Sequence, residues 1–169
     1  DFVRLTLDRV VHGYRDPFAA QQAQKSGSCN IDTICPQGDP WRDQIASVAH
    51  YTFSSGGSNF VCTGTLMATG NAQADQTQPR FTTAHHCVSL AAEAQSMVFY
   101  WGYESPSCRT PGSAASGTSL SRTTSSRATQ SGASLLGTDQ ATDFTVVQLA
   151  AAVPAAANAK FSGWDRSGL

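Results

Sequence analysis

Residues 81–87 read Phe81-Thr82-Thr83-Ala84-His85-His86-Cys87. A short run of an aromatic residue and threonines reads as a β-strand, and this one delivers two histidines directly against a cysteine. A second cysteine, Cys62, lies upstream in FVCTGTLM, residues 60–67. An isolated histidine after a strand is most often a solvated loop residue. A histidine held beside a cysteine is better placed for acid–base chemistry, because a general base must keep its ring within hydrogen-bond reach of the hydroxyl it deprotonates. A zinc site built from His85, His86 and Cys87 is the poorer reading. Adjacent residues on an extended chain point in opposite directions, and the sequence has no C-x-x-C pair to supply further ligands.

Working outward, the neighbouring segments also read as strands parted by turns. Ile45–Phe53 (IASVAHYTF) precedes the turn SSGGS, and Phe60–Met67 precedes the polar loop NAQADQTQPR. Met97–Tyr103 (MVFYWGY) and Phe144–Leu149 (FTVVQL) are two more apolar strands. Only Ser89–Gln95 reads as helical, for a turn or two. Between Thr110 and Ser134, 16 of 25 residues are Ser, Thr or Gly, which predicts an exposed loop or loose hairpin. Short strands at this spacing favour a Greek-key barrel or a sandwich.

Composition narrows the function. Eleven basic and twelve acidic residues leave a net charge of −1, too even a balance to attract nucleic acid or anionic lipid. No apolar run approaches the roughly 20 residues that span a bilayer. Five cysteines, Cys29, Cys35, Cys62, Cys87 and Cys108, point to an oxidising compartment and disulfides, and their odd count leaves at least one without a partner here. The opening DFVRLTLDRVV has no basic n-region or long apolar h-region, so any export signal is expected to have been removed before Asp1. A short strand is expected at Val3–Leu7.

The string T-A-x-H-C, with C-T-G-T-L upstream, resembles the chymotrypsin-like serine proteases. That resemblance implies an all-β fold, the first (N-terminal) six-stranded Greek-key barrel of a chymotrypsin-like double β-barrel. It makes His86 the general base, and places a disulfide beside it that limits its drift. The family's order of His, Asp, Ser points to Asp143, which heads Phe144–Leu149 as the family's aspartate heads its own strand. Asp143 would accept the Nδ1 proton of His86 and stabilise the imidazolium. Asp75 and Asp139 are weaker candidates, since neither precedes an apolar strand. The family's G-D/S-S-G serine string is absent from the 169 residues. Gly57-Ser58 and Gly132-Ala133-Ser134 are the nearest strings, but both lack the following glycine. The nucleophile is therefore expected on a C-terminal half beyond Leu169.

A narrower resemblance, to the bacterial lysyl endopeptidases, runs from Ser26 to the end. It is carried by SGSCNIDTICPQGD at residues 26–39, by Cys62-Thr-Gly-Thr-Leu66, Thr83–Cys87 and Val98–Tyr103, and by Asp143-Phe-Thr and Gly163-Trp-Asp165. It implies disulfides Cys62–Cys87 and Cys35–Cys108, with Cys29 bridging to the second barrel. It also implies a secreted endopeptidase cutting polypeptides after lysine, needing no metal or cofactor, whose partner is its own C-terminal half. Residues 1–25 would be a propeptide remnant, released by cleavage between Lys25 and Ser26, or an N-terminal extension. The alternative is a catalytically inactive, protease-like binding module or a stable protease fragment.

Overall fold

Along Val48–Ser55, Val98–Trp101 and Phe144–Leu149 alternate residues are buried, so each of these strands turns one face to the interior. The computed structural model describes residues 27–164. The expected pro-segment 1–25, the strand expected at Val3–Leu7, the Lys25-Ser26 junction and Asp165 lie outside the described residues. The strands are β1 (Val48–Ser55), β2 (Ser58–Met67), β3 (Arg80–Thr83), β4 (Val98–Trp101), β5 (Ala128–Ser131), β6 (Ala133–Asp139) and β7 (Phe144–Leu149). They form one antiparallel sheet in the order β5-β4-β1-β2-β3-β7-β6.

The strands at the two ends of that order, β5 and β6, are consecutive in the chain and separated by Gly132 alone, so the sheet curls back on itself. Gly132 has φ 84°, a left-handed conformation that suits glycine. Its N–H bonds Met97 O at 2.8 Å, and its carbonyl accepts from Ala150 N at 3.0 Å. Counted as one strand bent at Gly132, β5–β6 makes six strands. The architecture is mostly β and curled, as a chymotrypsin-like barrel is.

Inside the curl, Ala49, Tyr51 and Phe53 of β1 meet Phe81 of β3, Phe99 and Trp101 of β4, and Val147 and Leu149 of β7. Phe81 packs edge-on against Phe99 and Trp101, with ring centroids 5.1 and 6.0 Å apart. Such pairs contribute about 0.5–1.5 kcal/mol each beyond their buried area. Gly64 of β2 lies so close to the Phe81 ring and Thr82 O that a Cβ there would collide with both, which accounts for the glycine of FVCTGTLM.

Three sequence expectations are corrected. Ile45–Phe53 is not one strand: Arg42–Ser47 is a helix, and β1 starts at Val48. The Arg42 guanidinium ties that helix to Ile34 O, Thr33 O and Asp39 of the segment just before it, contacts that override strand preference. The expected polar loop 71–80 contains the helix Ala72–Thr77, whose first N–H groups at Gln73 and Ala74 are accepted by Asn71 Oδ1. The Ser/Thr/Gly-rich stretch 110–134 is not loop throughout. It holds the short helix Arg122–Ser125, β5 and the start of β6, recruited by pairing with β4 and β7. Two disulfides, Cys35–Cys108 and Cys62–Cys87, tie loops to this frame, and Cys29 is free and exposed.

Candidate active site

Strand β3 ends at Thr83 and the chain turns at residues 85–87. The exit is held on three sides. The Thr83 hydroxyl donates to Thr63 O at 3.0 Å, so the buried Tyr51 hydroxyl must be the donor in its 2.6 Å bond to Thr83 Oγ1. Burial pushes the Tyr51 phenol well above its ordinary pKa, which keeps it in the donating form. The Cys62–Cys87 bridge joins the turn to β2, and Val88 plugs fully buried into the core.

Opposite this turn stands the β6–β7 hairpin. Asp139 closes its tip by accepting from Thr142 Oγ1 at 2.6 Å and from the backbone N–H groups of Ala141 and Thr142. Asp143 follows in a left-handed conformation, φ 52°, which Asp tolerates better than most residues. Both its carboxylate oxygens meet His86: Oδ1 accepts the backbone N–H at 2.9 Å, and Oδ2 lies 2.7 Å from Nδ1. The backbone N–H of His86, seconded by its ring, holds the Asp143 carboxyl below the usual carboxylate range. A carboxylate can only accept, so His86 carries its neutral-form proton on Nδ1 and keeps the Nε2 lone pair for a further partner.

The other candidates lie elsewhere. Asp75 is buried in the helix Ala72–Thr77 and accepts from Thr69 N and Oγ1, which is a structural role. His85 turns to Thr138 Oγ1 at 2.8 Å. Because 85–87 is a turn rather than extended chain, both histidines reach the same hairpin. Cys62, His86 and Cys87 bring their ligand atoms within 4.8 Å of one another, but the two sulfurs are joined to each other and offer no thiolate. Ser58 opens β2 and Ser134 lies in β6.

His86 lines a cleft of about 790 Å³ shared with Ile45, Val48, Val61, His50 and Tyr103. Sequence reasoning passed over His50 and this cleft. His50 lies on β1, stacks on Tyr103 with centroids 4.8 Å apart, and finds no hydrogen-bond partner for its buried Nε2 among the described residues. Burial, with Arg122 nearby, pushes its pKa down to about 4. The only signal available was an imidazole embedded in a strand of apolar residues.

A family model described as lysyl endopeptidase, C-terminal domain, matches residues 23–169. This chain belongs to the lysyl endopeptidase family. Among curated proteins, a lysyl endopeptidase of Pseudomonas aeruginosa is 36% identical over 101 residues, 57% of this chain and 20% of that protein. The aligned part is thus about a fifth of that lysyl endopeptidase's length.

Proposed function

We propose that this chain supplies the general base, His86, and its aspartate, Asp143, to a secreted serine endopeptidase that cuts polypeptides through an acyl-enzyme. The observation that carries the reading is the two-point contact of Asp143 with His86, which leaves Nε2 as the basic nitrogen. In the reaction Nε2 would take the proton of a serine hydroxyl as it attacks the scissile carbonyl, then return it to the leaving amine. Asp143 would hold the tautomer and stabilise the imidazolium. The serine is assigned to a second barrel outside these residues, which would also carry the pocket for the residue before the scissile bond. Cleavage after lysine rests on the family membership and the named relative. Cys29, exposed and free, is the candidate for a bridge to that second barrel. The two disulfides favour export to an oxidising compartment.

Residues 1–25 are proposed as a pro-segment cleaved after Lys25. The family match begins at residue 23, close to that junction. N-terminal sequencing of the active enzyme checks this, with a start at Ser26 expected.

The decisive experiment uses the full-length gene product with lysyl and arginyl amide substrates. Asp143→Asn is expected to lower kcat by roughly 10⁴-fold, by analogy with the general behaviour of such triads, and His86→Ala by at least as much. Equal turnover by wild type and both variants would sink the triad. A complete absence of turnover in the wild type would favour the inactive binding module.

A further inference from the structure

Two hydroxyls and a carbonyl lie in line behind His85. The Thr145 hydroxyl, fully buried, donates to Val88 O at 2.7 Å. Thr145 Oγ1 lies 2.6 Å from Thr138 Oγ1, its direct cross-strand partner in the β6–β7 hairpin. Thr138 Oγ1 in turn lies 2.8 Å from His85 Nδ1. Proton counting orders the series. A carbonyl only accepts, and a hydroxyl has one proton. Thr145 gives its proton to Val88 O, so it must accept from Thr138. Thr138 then has no proton left for His85, so Nδ1 of His85 must be the donor.

The series joins two loops at both their ends. His85 and Val88 bound the histidine turn, and Thr138 and Thr145 bound the turn that carries Asp143. Between these two ties lies the His86–Asp143 contact. The Asp143 side of the site has little else to steady it, since its tip at 139–143 is exposed and held mainly by bonds within itself.

We propose that His85 is a positioning residue for the catalytic pair, acting as the Nδ1–H donor that starts a hydrogen-bond chain through Thr138 and Thr145 to Val88 O and thereby holds the Asp143 turn in register with His86. The proposal rests on the triad reading above and adds a second histidine to it. Its physical basis is the steep dependence of proton transfer on geometry: a displacement of about 1 Å can lower rates by about 10²-fold. Among the described residues the charged groups facing His85 are Asp139 and Asp143 of the hairpin. His86 is its neighbour in the chain.

The test uses the full-length protein and has two independent readouts. The first is the ¹⁵N chemical shifts of histidine-labelled wild-type enzyme at pH 8, above the ordinary imidazole pKa. His85 is expected to show a protonated Nδ1 and a bare Nε2. The second is kinetics of three variants. Asn carries its amide nitrogen on Cγ, as His carries Nδ1, so His85→Asn keeps a donor in place. His85→Gln sets the amide one carbon too far, and His85→Phe keeps the ring but has no donor. His85→Phe and His85→Gln are expected to lose about 10–100-fold in kcat with KM little changed, and His85→Asn to recover to within about threefold of wild type. Thr138→Val should resemble His85→Phe, and combining the two should cost little more than either alone, as expected of one chain. A bare Nδ1 at His85 overturns the proposal, as does a His85→Phe variant at least as active as His85→Asn. If Asp143→Asn and His86→Ala leave turnover unchanged, the triad reading falls instead, and the tautomer still decides whether the chain exists.

Discussion

Tyr51, Phe81, Phe99 and Trp101 are wholly inaccessible to solvent, whereas His86 and Asp143, just past the ends of the strands that bury them, keep 71% and 52% of their side-chain surface exposed. The two regions are built of different materials. The interior is aromatic and aliphatic, and its shape follows from packing. The rim is polar and held by directed bonds: two contacts from Asp143, the chain behind His85 and the Cys62–Cys87 bridge. Packing is non-directional and tolerates hydrophobic exchange if volume is kept. Hydrogen-bonded geometry tolerates no such exchange. On the proposed triad reading, the rim also needs a cover. Preorganised charges act most strongly where water is excluded, and among the described residues nothing excludes it from His86.

The comparison can be broken most forcefully from the inside. Trp101→Ala is expected to cost about 3–5 kcal/mol, since it empties a fully buried site stacked on Phe99 and edge-on to Phe81. Urea denaturation of the purified protein checks this. A cost below about 1 kcal/mol would mean the interior is looser than its packing implies.

The disulfides separate the two regions next. Replacing Cys35 and Cys108 by Ala opens a closure of 73 residues and should cost roughly 4 kcal/mol, while replacing Cys62 and Cys87 opens one of 25 and should cost about 3. Only the second pair borders His86, so only its loss should lower turnover beyond what the lost stability explains. Denaturation and steady-state kinetics on both double variants decide the point.

A third test uses pH. His50, with a folded pKa of about 4 against an ordinary 6.5, is neutral in both folded and unfolded chains above pH 6.5. As pH falls below 6.5 the unfolded chain binds the proton first, so stability is lost until about pH 4, by roughly 2–3 kcal/mol. His50→Phe should flatten that part of the stability–pH curve, measured by denaturation between pH 4 and 7. The smallest effect is expected on the rim's outer surface. Phe144→Ser removes a half-exposed ring and should change stability by less than about 0.5 kcal/mol. A larger loss of activity than of stability there would show that the ring meets substrate or the second barrel.

Legibility in the sequence followed the same division. Phe144–Leu149 was readable to the residue, because it is a compact apolar run headed by a turn-forming aspartate, Asp143. Strand β6 and the bend at Gly132 were not, since ASLLGTD has weak alternation and becomes a strand only by lying against β7. The helix Ala72–Thr77 was not legible either, since its polar residues read as a loop and it buries little beyond Asp75. At the site, His86 and Asp143 were legible as types in order, through the string around His85 and the strand after Asp143. The role of His85 was not, because its partner Thr138 lies 53 residues away on a strand the pattern did not reveal.

The amino-acid order by itself determined where most of the strands run and the kinship that names the histidine and the aspartate. Each of these depends on local periodicity or on a short contiguous string. Tertiary structure alone decided which histidine meets which hairpin residue, where β5 and β6 join the sheet, and that a half-buried imidazole lines the cleft. Those outcomes depend on distances between residues tens of positions apart, which are set only when strands pair and the sheet curls, and no local pattern encodes them.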